Sequence, residues 1–344
     1  MRTKSIVALG VSILLILVWF LGPAPEKPVY NHYMPIIDSE LHQLSDSIDK
    51  AEHSNLLIKI NNEARILWAD SIPKQTEWAI VYLHGFSASQ MEGHPVHIHT
   101  ARHFGMNLYL ARLSDHGLES DSALVDFTPD RVYESAKRAL AIGNRIGKHV
   151  ILMSTSTGGT LALKLAEQYP DMVHALINYS PNVRINNAMA WMLNNHWGGD
   201  ILSLTAKNGY IDTQGREDSV VCQYWNTHYR MEALPQLEEL VETTMKKPVF
   251  KTITCPSLTI AYYKDKNNQD PTVKVSAMRW MHKNLGTKEE NKRFVELPDV
   301  GVHPLASDLR SKDIKAVEHE TNRFIEEVLN LKVTSDTVTE EQIQ

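Results

Sequence analysis

From residue 56 onward the chain switches repeatedly between short apolar runs and longer amphipathic stretches. The apolar runs are 79–83, 107–111, 150–153, 173–179, 258–263 and 294–297. The stretches 95–104, 129–146, 158–168, 273–285 and 313–331 carry a helical pattern between them. Short continuous runs alternating with helices predict an α/β architecture: a mostly parallel, doubly wound sheet covered on both faces. Ahead of these, residues 56–60 and 65–69, joined by the polar Asn61-Asn62-Glu63, read as two further short strands. The interval 181–249 breaks the rhythm. It is helical in pattern, holds Trp191, Trp197 and Trp225 with Met189, Met192 and Met231, and offers no clear strand. Its place between two central strands predicts a mostly helical cap inserted over one end of the sheet.

The first segment is of another kind. Arg2 and Lys4 precede an uncharged, mostly apolar run from Ser5 to Leu21. Its length stands at the border between a spanning helix, about 17–25 residues, and a signal-peptide core, about 7–15. Gly22-Pro23-Ala24-Pro25 is a poor cleavage site, which favours an uncleaved signal anchor. The basic residues place the N-terminus in the cytoplasm and the body of the chain outside it, or secreted if the segment is removed. The expected organisation is therefore a signal anchor or signal peptide at 1–22 and a spacer and extension at 23–54. A folded domain follows at 55–331, with its cap at about 181–249, and a flexible tail at 332–344.

Composition narrows the classes. A net charge of −6 and no basic block along the body leave no electrostatic footprint for nucleic acid. The two cysteines, Cys222 and Cys255, make neither a disulfide framework nor a zinc motif. The single sequon, Asn178-Tyr179-Ser180, lies at the end of a run that reads as buried.

The strongest chemical signal is Val150-Ile151-Leu152-Met153-Ser154-Thr155-Ser156-Thr157-Gly158-Gly159, a buried strand, a small-residue turn and the start of a helix. A turn this sharp lifts its central side chain above the sheet and aims the helix N-terminus at developing negative charge. Small residues two before and two after, Ser154 and Gly158, centre it on Ser156.

These residues resemble the nucleophile elbow of the α/β-hydrolase superfamily, and the resemblance runs from about residue 56 to residue 331. The family pattern is G-x-S-x-G; here Ser154 stands for the first glycine and is itself a rival hydroxyl. His84-Gly85-Phe86-Ser87 is similar to the family's oxyanion loop, which implies backbone N–H donors at Phe86 and Thr157. Arg112-Leu113-Ser114-Asp115-His116-Gly117 resembles the R-x-x-G-H-G loop of the monoacylglycerol lipase and carboxylesterase branch, with Asp115 for the middle glycine. The family's chain order of serine, acid, histidine implies His303 as the base, ahead of His282 and His319, which lie in predicted helices. The implied acid is Asp270, whose Asp270-Pro271-Thr272-Val273 context matches the family, with Asp265 as the alternative.

The resemblance implies a serine hydrolase cleaving a carboxylic ester, acyl or lipid-like, through an acyl-enzyme and without a cofactor. Within the same fold a serine aminopeptidase is the alternative, for which Glu232, Glu238, Glu239 or Glu242 would hold a substrate amine. From another class, the alternative is a non-catalytic binding protein that keeps the fold. The cap tryptophans and methionines fit either an apolar lid or the cap's own core. His94, His97, His99 and His103 cluster, but no H-E-x-x-H pattern and no spaced acid or cysteine completes a metal site, so a solvated or cleft-edge cluster is expected.

Overall fold

The computed structural model describes residues 10–14, 17–37, 40–204, 206, 208–213 and 218–334. Much of the expected anchor, residues 1–9 and 15–16, and most of the tail, 335–344, lie outside the described residues. Residues 10–14 and 17–20 are helical. Among the described residues, no helix is long and apolar enough to cross a membrane.

The first elements are α1 (Leu41–His53), β1 (Arg65–Leu67), β2 (Thr76–Leu83), α2 (Val96–His103), β3 (Asn107–Leu110), α3 (Pro129–Ile146), β4 (Gly147–Thr155), α4 (Thr157–Gln168) and β5 (Ala175–Tyr179). The cap follows as α5 (Gly198–Ser203), β6 (Tyr210–Asp212), α6 (Ser219–Tyr224), β7 (His228–Arg230), α7 (Ala233–Thr244) and α8 (Lys247–Thr252). The chain then returns through β8 (Ser257–Tyr262), α9 (Val275–Asn284), β9 (Lys292–Leu297) and α10 (Ile314–Glu327).

The described residues form a seven-stranded sheet of order β1-β3-β2-β4-β5-β8-β9. Every neighbouring pair is parallel except β1 with β3. Ala79, Val81 and Leu83 join one core with Leu152 and Leu161, while Ile80 and Tyr82 join the opposite core with Met153 and Ile177. Each central strand is thus apolar on both faces, which is why its sequence reads as a continuous run. Two expectations are corrected here. Residues 56–60 are not a strand; Ile58 makes only an isolated bridge to Leu118, and Leu56 and Leu57 stay exposed. The cap is mostly helical as expected but does hold strands, because β6 and β7 pair as a small antiparallel ribbon.

The N-terminal extension is laced onto the domain. The buried Lys137 ammonium donates to the carbonyls of Asn31 (2.7 Å) and Tyr33 (2.9 Å). Asp130 accepts the N–H of Tyr30 at 2.7 Å, and Lys27 pairs with Glu239 of α7 at 3.0 Å. Trp197 of the cap donates its backbone N–H to Pro23 at 2.8 Å. Cys222 and Cys255 are free thiols.

The register places the ends of four strands side by side. Leu83 lies opposite Ser154, Thr155 opposite Tyr179, and Tyr179 opposite Ile260. The loops that leave β2, β4 and β8 therefore rise from one edge of the sheet, where ligands bind in open α/β folds.

Candidate active site

Ser156 stands between β4 and α4 with φ 54° and ψ −117°, and only 6% of its surface is exposed. A positive φ is costly for a residue with a Cβ, and such strain persists only where the surroundings impose it. Here the Ser156 N–H donates to Tyr179 O at 3.0 Å, and the Ser156 carbonyl accepts from Gly159 (2.9 Å) and Asn182 (2.8 Å). Gly158 is required by space: a Cβ there would lie 2.0 Å from the carbonyl oxygen of Leu83. Ser154, in place of the family glycine, is buried within the sheet and donates its hydroxyl to Asn178 Oδ1 at 2.8 Å. Its side chain therefore has a structural partner, whereas Ser156 occupies the tip.

Gly85 sits beside Ser156, since a Cβ on it would come within 2.9 Å of the Ser156 Cβ. The preceding His84 braces this loop. Its Nε2 accepts the N–H of Leu113 at 3.1 Å, which leaves Nδ1 to donate to Gly85 O at 2.9 Å. Burial, aided by the neighbouring His116, holds the His84 imidazole well below its ordinary pKa, so it remains neutral. Phe86 packs edge-on against Phe127 and Tyr229 at ring distances of 5.2 and 5.4 Å. The N–H of Thr157, at the first helical position of α4, has no intrahelical acceptor. Thr157 thus follows Ser156 in the chain, and Gly85, the residue before Phe86, lies against it in space.

The Arg112–Gly117 loop is a brace. Arg112 grips Glu52 of α1 through two contacts of 2.6 and 2.9 Å and donates to His116 O at 3.3 Å. Asp115, with φ 66°, pairs with Arg131 at 2.8 Å.

Asp270 and His303 are brought together from separate loops. His303 Nδ1 donates to Asp270 Oδ2 at 2.7 Å, while Asp270 Oδ1 accepts the N–H of Thr272 (2.8 Å) and Val273 (3.0 Å). Asp270 is 1% exposed. Burial pushes its pKa up, but the His303 charge and hydrogen bond and the Val273 N–H outweigh it and hold the carboxyl below its ordinary value. Burial pushes His303 down, but the charge and hydrogen bond of Asp270, with a further contribution from Glu92, hold it above its ordinary value. His303 Nε2 is buried and has no hydrogen-bond partner, so no bond to Ser156 is made; such contacts tighten when substrate is in place. Asp265 lies on the surface and spends its carboxylate on its own turn, accepting from Asn267 N (2.8 Å) and Asn268 N (3.0 Å).

A cleft of about 190 Å³ adjoins the site, lined by Ser87, Trp225, Tyr229, Thr213 and Pro304 among others. It reaches the site through Ser87 and Pro304, the neighbours of Phe86 and His303; neither it nor the larger cavities, of about 390 Å³ beside α7 and about 590 Å³ beside β1, are lined by Ser156, Asp270 or His303. The tryptophans have separate fates: Trp225 lines the cleft, Trp191 is exposed, and the Trp197 indole donates to Val18 O at 3.0 Å. Of the four cap glutamates, Glu232 pairs with Arg230, Glu239 with Lys27 and Asn194, and Glu242 with Asn194. Glu238 is buried beside Arg184 and Lys274 in the cavity beside α7.

The histidine cluster also disperses. His97 is core, donating from Nε2 to Gln90 O at 2.9 Å, whereas His94, His99 and His103 face Asp308, Glu318 and Glu326. Among the described residues, no group of three or more His, Cys, Asp or Glu side chains could hold a metal ion. One residue at the site was missed by sequence reasoning, the buried Glu92, which accepts the Gly85 N–H at 2.5 Å.

No protein-family model matches the chain, and no curated protein matches it in sequence. Solved structures do match in shape. One of the metagenome-derived lipolytic enzymes LipS and LipT superposes with a TM-score of 0.62 at 16% identity, covering 78% of this chain and 98% of its own. A soluble variant of monoglyceride lipase from Saccharomyces cerevisiae gives 0.58 at 11% identity, covering 76% and 90%. Est1E from Butyrivibrio proteoclasticus, solved with ferulic acid, gives 0.52 at 18% identity, covering 78% and 95%. Sheet order, elbow and these likenesses agree that the chain has the α/β-hydrolase fold.

Proposed function

We propose that the protein is a serine hydrolase that cleaves a carboxylic ester through an acyl-enzyme. The observation that carries this is the Asp270–His303 hydrogen bond of 2.7 Å, made at the sheet edge where the Ser156 elbow stands. In this reading Asp270 fixes the His303 tautomer, leaving Nε2 to take the proton of Ser156 as its Oγ attacks the carbonyl carbon. The N–H groups of Phe86 and Thr157 receive the negative charge on the carbonyl oxygen. His303 then passes the proton to the leaving oxygen, and water repeats the sequence to release the acid and restore Ser156. The lipolytic and esterase activities carried in the names of the solved neighbours support the same reaction class.

The acyl group is proposed to enter the cleft of about 190 Å³ that Ser87 and Pro304, the neighbours of Phe86 and His303, line; typical ligand pockets measure about 300–1,000 Å³, so this cleft supports a short acyl group. With p-nitrophenyl esters, kcat/KM for butyrate is expected to exceed that for palmitate by about tenfold or more. Aminoacyl p-nitroanilides are expected to be poorer still, because three of the four cap glutamates are already paired within the protein. A preference for the anilides would replace the esterase reading with the aminopeptidase one.

The N-terminal run is proposed to hold the enzyme at a membrane with its domain on the extracytoplasmic side. Arg2 and Lys4 before the apolar residues 5–21 support this orientation. On alkaline carbonate extraction, the full chain is expected to stay with the membranes and a chain starting at residue 23 to be released. Release of the full chain would remove the anchor.

A further inference from the structure

Glu92 is the one carboxylic acid at the site, besides Asp270, that is sealed from solvent, with 3% of its surface exposed. It belongs to the short turn Gln90–Gly93, just after the oxyanion loop. Its Oε2 accepts the N–H of Gly85 at 2.5 Å, and a Cβ on Gly85 would touch both that oxygen (2.8 Å) and the Ser156 Cβ (2.9 Å). The carboxylate therefore lies across a single glycine from the proposed nucleophile. The indole of Trp225, in the cap, also faces it and favours its charged form. Trp225 is itself held in place: Asn226 next to it donates its N–H to Ser87 O at 2.7 Å, and Lys59 donates to Trp225 O at 3.2 Å. The titratable groups facing His303 are Asp270 and Glu92; those facing Glu92 are His303 and the buried, neutral Tyr82 phenol.

We propose that Glu92 is a positioning residue of the acyl-transfer site, fixing the Gly85–Phe86 turn of the oxyanion loop and presenting a second negative charge to His303. The proposal rests on the serine-hydrolase reading and deepens it. Gly85 has no side chain with which to lock its own peptide, so an outside acceptor on its N–H sets the direction in which the next N–H, that of Phe86, points. The second role follows from burial, because charges facing each other away from water interact strongly. Burial raises the Glu92 carboxyl to about 7, against the pull of His303, Gly85 and Trp225, while the charges of Asp270 and Glu92 raise His303 against its burial, so each group's protonation affects the other's.

Glu92→Gln tests the charge while keeping an acceptor oxygen for Gly85. The negative charge of Glu92 raises the proton affinity of His303, so its loss lowers it. The His303 Cε1–H titration, followed by NMR in the full-length protein without substrate, is expected to move down by on the order of half a pH unit or more. The ascending limb of kcat/KM against pH is expected to move the same way, with KM little changed. Glu92→Ala, which also frees Gly85, is expected to lower kcat by about tenfold to a hundredfold, within the range for a weakened oxyanion donor. Should Glu92→Gln fail to fold, Glu92→Asp keeps the charge and withdraws the contact: kcat is expected to fall with the pH limb unmoved. A His303 titration identical in wild type and Glu92→Gln overturns the proposal, as does wild-type kcat in Glu92→Ala or Glu92→Asp. The NMR arm needs no turnover. If the protein proves inactive on esters, that outcome strikes the functional reading, while the titration still decides the Glu92–His303 contact.

Discussion

Ser156→Ala is expected to lower kcat for ester hydrolysis by a factor on the order of 10⁵–10⁶ while leaving KM and the folded state nearly as they are. The argument is geometric. Ser156 holds a φ of 54° because its backbone is bonded to Tyr179, Gly159 and Asn182, and none of those bonds uses its side chain. Alanine preserves all of them and removes only Oγ. Residual activity comes from the oxyanion donors and substrate binding. Ser154→Ala provides the contrast. It removes a buried hydroxyl bonded to Asn178, so it is expected to cost about 1–2 kcal/mol of stability in denaturant unfolding and little catalysis. If the large loss of kcat fell instead on Ser154→Ala, the elbow would be centred wrongly.

The second large effect is expected at the acid. Asp270→Asn is expected to reduce kcat by about 10⁴, because an amide facing Nδ1 lets His303 adopt the tautomer with its proton on Nε2. Asp265→Asn is expected to change kcat less than about threefold, since Asp265 bonds only its own surface turn. Equal losses in the two variants would return the choice of acid to an open question. Asp270 also gives pH dependences of definite sign. Its folded pKa is depressed, so its contribution to stability is present above the unfolded value of about 3.9 and is lost as pH falls through the lower folded value. The His303 pKa is raised, so its contribution is full below about 6.5 and disappears as pH rises through the higher folded value. The pair therefore stabilises the protein most between about pH 4 and 6.5, a range in which His303 is too protonated to act as base. Catalysis is expected to rise with pH above that window, and Asp270→Asn is expected to move this rise to lower pH along with its loss of rate.

The core of the architecture was legible because each central strand is buried on both faces. That condition turns residues 79–83 and 150–153 into continuous apolar runs and leaves the helices between them amphipathic. The same reasoning failed where apolar residues are not buried. Leu56 and Leu57 suggested a strand but stay in solvent, and the cap ribbon of β6 and β7 is missed because Tyr210-Ile211-Asp212 and His228-Tyr229-Arg230 are short and partly exposed. At the site, the proline after Asp270 marked the aspartate that meets His303. The departure at Ser154 has its reason in Asn178, which stands opposite it in the neighbouring strand and is distant in sequence. Glu92 carried no signal at all. An acid in a polar turn reads as solvated, and only the fold shows Gly85 and the cap residue Trp225 closing over it.

The central claim, that Ser156 is an activated nucleophile, is tested most directly by covalent labelling. The full chain is treated with a fluorophosphonate probe, and the product is analysed by intact mass and peptide mapping. Wild type is expected to gain one adduct, on Ser156, at a rate that rises as His303 deprotonates, and Ser156→Ala is expected to gain none. A folded wild type that stays unlabelled, or an adduct that persists in Ser156→Ala, would contradict the account.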